Sequence, residues 1–131
     1  MRILVAPDSF KDALPALGVA EAMAAGIRLA DPTAEVLLFP LADGGEGTFD
    51  LLQRHFRATI RAVRVQDPLF RPVTAHYGIS KDGQTAFLEM AQASGLQLLA
   101  PAERNPLKTT TFGTGEMIRD ALAQGVRHLV L

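Results

Sequence analysis

Ile3-Leu4-Val5-Ala6, then Pro7-Asp8-Ser9, then the regularly spaced apolar residues from Leu14 to Ala30, then Val36-Leu37-Leu38-Phe39 form the stretch that decides the fold. The first run is wholly apolar, the pattern of a short strand buried on both faces of a parallel sheet. Pro7 and Asp8 break it. Leu14, Leu17, Ala20, Ala24 and Ile27 recur at spacings of three and four, which places them on one helical face. Pro15 suits a first helical position, where its missing N–H costs nothing. Asp31-Pro32 stops the helix, and Pro40 closes the second apolar strand. One strand–helix–strand unit results, the building block of a doubly wound, Rossmann-like parallel sheet.

Downstream, Gly44-Gly45-Glu46-Gly47-Thr48 leads into a helix whose apolar face is Phe49, Leu52 and Phe56. The pattern then changes. Residues 58–66, 72–80 and 84–91 read as strands, joined at Asp67-Pro68 and at Lys81-Asp82-Gly83, the latter a hairpin turn signal. They predict a smaller mixed or antiparallel sheet inserted into the α/β pattern. Helical rhythm returns at Gly113-Thr114-Gly115-Glu116, where Met117 stacks on Ala121 and Ile118 on Leu122. Gly125 is placed to end that helix, and Val126–Leu131 reads as a buried parallel strand. The expected division is 1–57 for the first part of the Rossmann-like domain, 58–108 for the inserted segment and 109–131 for the return helix and strand.

Composition narrows the function classes. The chain has 131 residues, enough for one domain with a sizeable core, and 48% are hydrophobic and 21% charged, as in ordinary globular proteins. A net charge of −1 creates no field that would recruit nucleic acid or an anionic membrane. There is no cysteine, which excludes disulfides and thiolate metal sites and permits a reducing compartment. No apolar run approaches a membrane span or a signal-peptide core, so a cytoplasmic protein is the expectation. His55, His76 and His128 lack metal-ligand spacing and read as ordinary histidines.

Four clusters could carry chemistry. Asp8, Ser9 and Lys11 place a carboxylate, a hydroxyl and an ammonium within four residues, able to hold a metal, a hydroxy acid or a phosphate. The plainer reading is a turn that caps a helix and leaves a lysine in water. Asp43, Gly44, Gly45, Glu46, Gly47 and Thr48 combine three glycines with two carboxylates. The glycines let the backbone approach a ligand, and the carboxylates suit Mg²⁺ or substrate hydroxyls; a glycine-rich connection with Asp43 as an N-cap is the other reading. The loop lacks the Gly-Lys-Ser/Thr ending of a Walker A motif. Glu89, in the apolar run Phe87–Ala91 ahead of Ser94, needs a partner, a metal or a role as a base if buried; alternation could instead turn it to solvent. Finally, Arg104, Lys108, Thr109, Thr110, Thr111, Gly113, Thr114 and Gly115 precede or open a helix. They form a candidate oxyanion site, or a long polar loop with Thr114 as cap.

In this order, Ala6–Lys11, Ala42–Thr48, Glu89–Ala91 with Ala93–Leu96, and Arg104–Pro106 with Thr109–Thr111 and Gly113–Glu116 resemble the bacterial glycerate kinase family over essentially the whole chain. The resemblance implies ATP-dependent, Mg²⁺-assisted phosphorylation of D-glycerate to 2-phosphoglycerate. It also implies two α/β domains, the second inserted into the first. The family pattern continues with a further glycine-rich loop, of the type G-G-S-A-T-N-D-G-G, that these residues do not include. Both domains are therefore expected to be incomplete here.

Within this frame, Lys11, Asp43 and Glu89 are the catalytic candidates. Asp8, Asp43 and Glu46 are the metal candidates. Asp8, Ser9, Gly44, Gly45, Glu46, Gly47, Thr48, Ser94, Arg104, Thr109, Thr110, Thr111, Gly113, Thr114 and Gly115 are the candidates for binding D-glycerate or ATP. The alternative is a non-catalytic binding module that needs a C-terminal half, as a second chain, to complete the site.

Overall fold

The computed structural model describes residues 1–10, 13–43, 45 and 47–131, with Arg54 by its backbone alone. The chain falls into two compact units, Met1–Asp43 and Gly44–Leu131.

The first unit is the predicted strand–helix–strand: β1 (Arg2–Val5), α1 (Ala16–Ala30) and β2 (Glu35–Leu38). β1 and β2 pair in parallel, with Arg2 opposite Glu35 and Val5 opposite Leu38. Pro15 is the N-cap of α1 rather than its first residue, and its carbonyl accepts the Val19 N–H at 3.1 Å. The helix buries Ala16, Val19, Ala20 and Ala24, small residues that let it lie close to the strands. Asp31 is its C-cap, and the Asp31 carboxylate accepts the Thr33 hydroxyl and N–H to form the turn into β2.

The expectation that β1 is buried on both faces needs correction. Side chains alternate along a strand. Val5 is buried, whereas Leu4 is 63% exposed and Leu37 and Phe39 are also exposed. In this two-stranded sheet α1 covers one face only.

The second unit holds α2 (Thr48–Phe56), β3 (Thr59–Gln66), β4 (Pro72–Ile79), β5 (Thr85–Leu88), α3 (Ala91–Ser94), α4 (Phe112–Ala123) and β6 (His128–Val130). Short 3₁₀ turns at Leu96–Leu98 and Pro101–Glu103 lie between α3 and α4. The strand order is β3-β4-β5-β6. The first two pairings are antiparallel and the last is parallel, so this is the mixed sheet the middle of the sequence predicts. β6 joins the sheet formed by the middle strands. It was expected to be buried, but His128, Leu129 and Val130 are exposed, because β5 is its neighbour on one side and it forms the edge.

One face of the sheet packs on α3 and α4. Val65, Ala75, Tyr77, Ala86, Leu88, Ala93, Met117, Ala121 and Val126 form a contiguous core there. The expected Met117–Ala121 stack is its centre; both are fully buried. Burying a methionine side chain stabilises by about 1.5–3 kcal/mol. α4 can lie this close to β3 because position 113 has no side chain: a Cβ there would collide with the Gln66 carbonyl oxygen.

Candidate functional site

The sequence leaves Glu89 open between burial and solvent. In the structure β5 ends at Leu88, so strand alternation no longer governs the next residue, and Glu89 is 4% exposed. Its Oε2 accepts the Phe49 N–H at 2.9 Å across forty residues of sequence. Phe49 is the second residue of α2, and the N-cap of that helix is Gly47 at φ 91°, a left-handed conformation natural to glycine. Glu89 thus supplies the N-terminal partner that no local side chain of α2 provides. The aromatic rings of Phe56 and Phe87 stack at 4.7 Å and hold the other end of α2 on β5. The Thr48 Oγ1 next to this junction is buried, with no hydrogen bond among the described residues.

A cleft of about 440 Å³ lies elsewhere in the same unit, walled by Pro68, Ser94, Leu96, Leu99, Pro106, Thr109, Thr110 and Thr111. Its hydroxyls are held from behind. The Thr110 N–H donates to the Pro68 carbonyl at 3.1 Å, and Thr110 Oγ1 accepts the Phe112 N–H at 3.2 Å. The Thr109 hydroxyl donates to the Asn105 carbonyl at 3.1 Å. Ser94 Oγ and Thr114 Oγ1 are 2.7 Å apart. α4 starts at Phe112 with Thr111 as N-cap, so Thr114 lies inside the helix and turned inward rather than capping it. Four hydroxyls among apolar walls, beside the positive end of a 12-residue helix, can hydrogen-bond a small hydroxylated anion.

One turn that the sequence reading passed over as a connection builds part of this wall. Asp67 is 5% exposed, and its Oδ1 accepts the N–H groups of Leu69 and Arg71, both at 2.8 Å. The Arg71 Nε donates to Asp67 Oδ2 at 2.6 Å, and its guanidinium also reaches Glu103 and the Leu98 carbonyl. Burial pushes the Asp67 carboxyl up, but the hydrogen bonds from Arg71 and Leu69 and the Arg71 charge outweigh it and hold the group below the usual carboxylate range. Arg71 therefore ties the Pro68 wall to the segment bearing Leu96 and Leu99. An Asp that accepts N–H groups two and four residues ahead is a recognisable turn signal. Glu116 was missed in the same way: its Oε2 accepts the Gln66 N–H at 2.8 Å and fastens α4 to the end of β3.

In the first unit Asp8 Oδ1 accepts the Ser9 N–H at 2.6 Å, a local turn, and Asp43 is exposed. Lys11, Gly44 and Glu46 lie outside the described residues. Gly45 and Arg104 are exposed and Gly47 half-buried. Gly113 is buried against β3, a packing position, and Gly115 is exposed on α4. Among the described residues no group of three or more His, Asp or Glu is placed to hold a metal ion; the expected trio includes Glu46. No helix among the described residues is long and apolar enough to cross a membrane.

Mixed α/β architecture with a buried carboxylate at the N-terminus of α2 and a threonine-lined cleft defines a class of small-ligand α/β proteins. Comparison with known proteins narrows it. The sequence profile of the Glycerate kinase family matches residues 3–131, and the chain belongs to that family. It is 47% identical over 131 residues to a glycerate kinase of Bacillus cereus and 45% identical over 131 residues to the glycerate 2-kinase of Escherichia coli K12. In each case it covers 100% of its own length and 34% of the relative. A crystal structure of a glycerate kinase 2 candidate from Salmonella typhimurium LT2 is 51% identical and superposes with a TM-score of 0.72, covering 98% of this chain and 34% of that one. The chain thus spans about a third of the length of the curated relatives it matches.

Proposed function

We propose that this segment contributes part of the site of a cytoplasmic kinase that transfers a phosphoryl group from ATP to the 2-hydroxyl of D-glycerate. The observation that carries the reading is the cleft of Ser94, Thr109, Thr110 and Thr111 in a chain of the glycerate kinase family. Its hydroxyls suit a small hydroxy acid, whose carboxylate and hydroxyls each need partners. Phosphoryl transfer asks a protein for positioning and charge neutralisation more than for covalent chemistry. Lys11 and Arg104 are the candidates for neutralising anionic oxygens. Backbone N–H groups of the glycine loop and the α4 N-terminus are candidates for orienting them.

Asp8, Asp43 and Glu46 are the carboxylates that would hold Mg²⁺, a hard cation that prefers oxygen ligands. The bound ion would offset charge developing on the transferred phosphoryl group. ADP release measured with and without D-glycerate tests the reading. Turnover that depends on D-glycerate supports it, and ATP hydrolysis indifferent to D-glycerate contradicts it.

The open face of the β1–β2 sheet favours a second reading. Exposed Leu4, Leu37 and Phe39 are apolar surface that further polypeptide would cover. On this reading the segment binds ligand productively only when the remaining two thirds of a kinase, in the same chain or another, is present.

A further inference from the structure

We infer that Glu89 is a positioning residue for the Gly47–Thr48 turn that opens α2, acting through the N-terminus of that helix, and is not the proton acceptor of the transfer. The inference rests on the kinase reading above and assigns one residue of that site.

The first N–H groups of any helix lack intrahelical partners. α2 has no side-chain cap of its own, since its N-cap is Gly47. The Glu89 carboxylate takes that place from the end of β5, with Oε2 on the Phe49 N–H at 2.9 Å. That place is the positive end of the helix dipole, where an oxygen acceptor is favoured. The Phe49 ring is buried against Gly78 on β4, and Phe56 stacks on Phe87, so α2 is docked on the sheet at both ends and cannot drift from Glu89. A loop containing three glycines has little conformational preference of its own. The Glu89–Phe49 hydrogen bond fixes the helix end to which Gly47 and Thr48 lead. A general base must instead bring an oxygen within hydrogen-bond reach of the substrate hydroxyl. Glu89 is 4% exposed, and its Oε2 already accepts the Phe49 N–H.

Three substitutions separate the roles, studied with this segment in a full-length glycerate kinase frame. Glu89→Gln keeps an acceptor oxygen at the same reach and loses the charge. Glu89→Asp keeps the charge and is one methylene too short. Glu89→Ala loses both. Positioning predicts that Gln retains kcat within about fivefold with an unchanged pH–rate profile, while Asp and Ala lose about 10- to 100-fold. It also predicts that the Phe49 amide stays protected from hydrogen exchange in Gln and exchanges faster in Asp.

A base predicts the reverse order: Asp above Gln, with Gln down by about 100-fold or more and the acidic limb of the profile gone. That result overturns the inference. So does full turnover in Ala with only a lowered melting temperature, which marks a purely structural residue. If Ala does not fold, the order of Gln and Asp decides. If the unsubstituted protein shows no turnover dependent on D-glycerate, the kinase reading fails before any variant is compared, and the inference falls with it.

Discussion

The carbonyl oxygen of Gln66 occupies the space that a Cβ at Gly113 would need. The obstacle is backbone on the last residue of β3, so no rotamer change relieves it. Gly113→Ala should therefore push α4 off the sheet and lower unfolding stability by about 2–4 kcal/mol, read from a denaturant midpoint. Gly115→Ala is the control, because nothing lies within 4 Å of a Cβ there. It should be neutral or stabilising by up to about 1 kcal/mol, as glycine is a poor residue inside a helix.

The Asp67–Arg71 turn makes a prediction with a sign in pH. Asp67→Ala should cost about 2–4 kcal/mol, because it strips the partner from two backbone N–H groups and from the Arg71 guanidinium at once. Arg71→Ala should cost less, about 1–2 kcal/mol, since Asp67 keeps its two N–H donors. The folded-state carboxyl is held below its ordinary value of 3.8. Its contribution is therefore fully present above that value and is lost as pH falls through the lower folded pKa. The stability gap between the native chain and Asp67→Asn should be constant from pH 7 to about 5 and shrink below pH 4. A gap that widens on acidification would contradict the assignment.

Tyr77 gives an optical check of the core, because it is the only tyrosine in the sequence. Burial, followed by its 2.6 Å hydrogen bond to Asp120 Oδ2, raises its phenol well above the ordinary value of 10.0. The stabilisation it brings is complete below pH 10 and is lost as pH rises towards the folded pKa. Phenolate absorbance should be absent from the folded chain at pH 10.5 and should rise on unfolding at the same pH. Half-titration in the folded state near pH 10 would show that Tyr77 is in water. Tyr77→Phe should cost about 1 kcal/mol and remove this alkaline dependence.

The sequence made the elements legible where they depend on local pattern. Apolar runs and three-and-four spacing located β1, α1, β2 and α4, and Lys81-Asp82-Gly83 marked the β4–β5 hairpin, where Asp82 accepts from Ser80 and Gln84. Burial was less legible, because it depends on neighbours distant in sequence. Leu4 and Leu129 look like core residues in their own runs, yet among the described residues each is exposed, Leu4 on the face of its sheet opposite α1 and Leu129 on an edge strand. Glu89 could not be placed by alternation because the strand stops one residue before it. Thr114 reads in the sequence as the cap that ends a polar loop, but α4 starts two residues earlier and turns its hydroxyl to Ser94. The family motifs marked Ser94 and Thr109–Thr111 for binding, and the fold brings these four into one cleft. The Asp67–Arg71 clamp behind that cleft has no motif and emerged only from the geometry.

The cleft should hold substrate rather than nucleotide. Thr110→Val, which removes one hydroxyl from the wall at nearly constant volume, should raise KM for D-glycerate by about 5- to 50-fold, equivalent to a lost hydrogen bond of about 1–2 kcal/mol. KM for ATP should change less than about twofold. Equal increases for both ligands would place the cleft's role in general stability.

The most direct measurement of the central claim is coupled ADP release with Mg·ATP, with and without D-glycerate, on this segment joined to the remaining two thirds of a glycerate kinase and on the same protein carrying Ser94→Ala with Thr110→Val. The account predicts turnover that requires D-glycerate and a marked rise in KM for D-glycerate in the double variant. Turnover without D-glycerate, or a double variant kinetically identical to its parent, would contradict it.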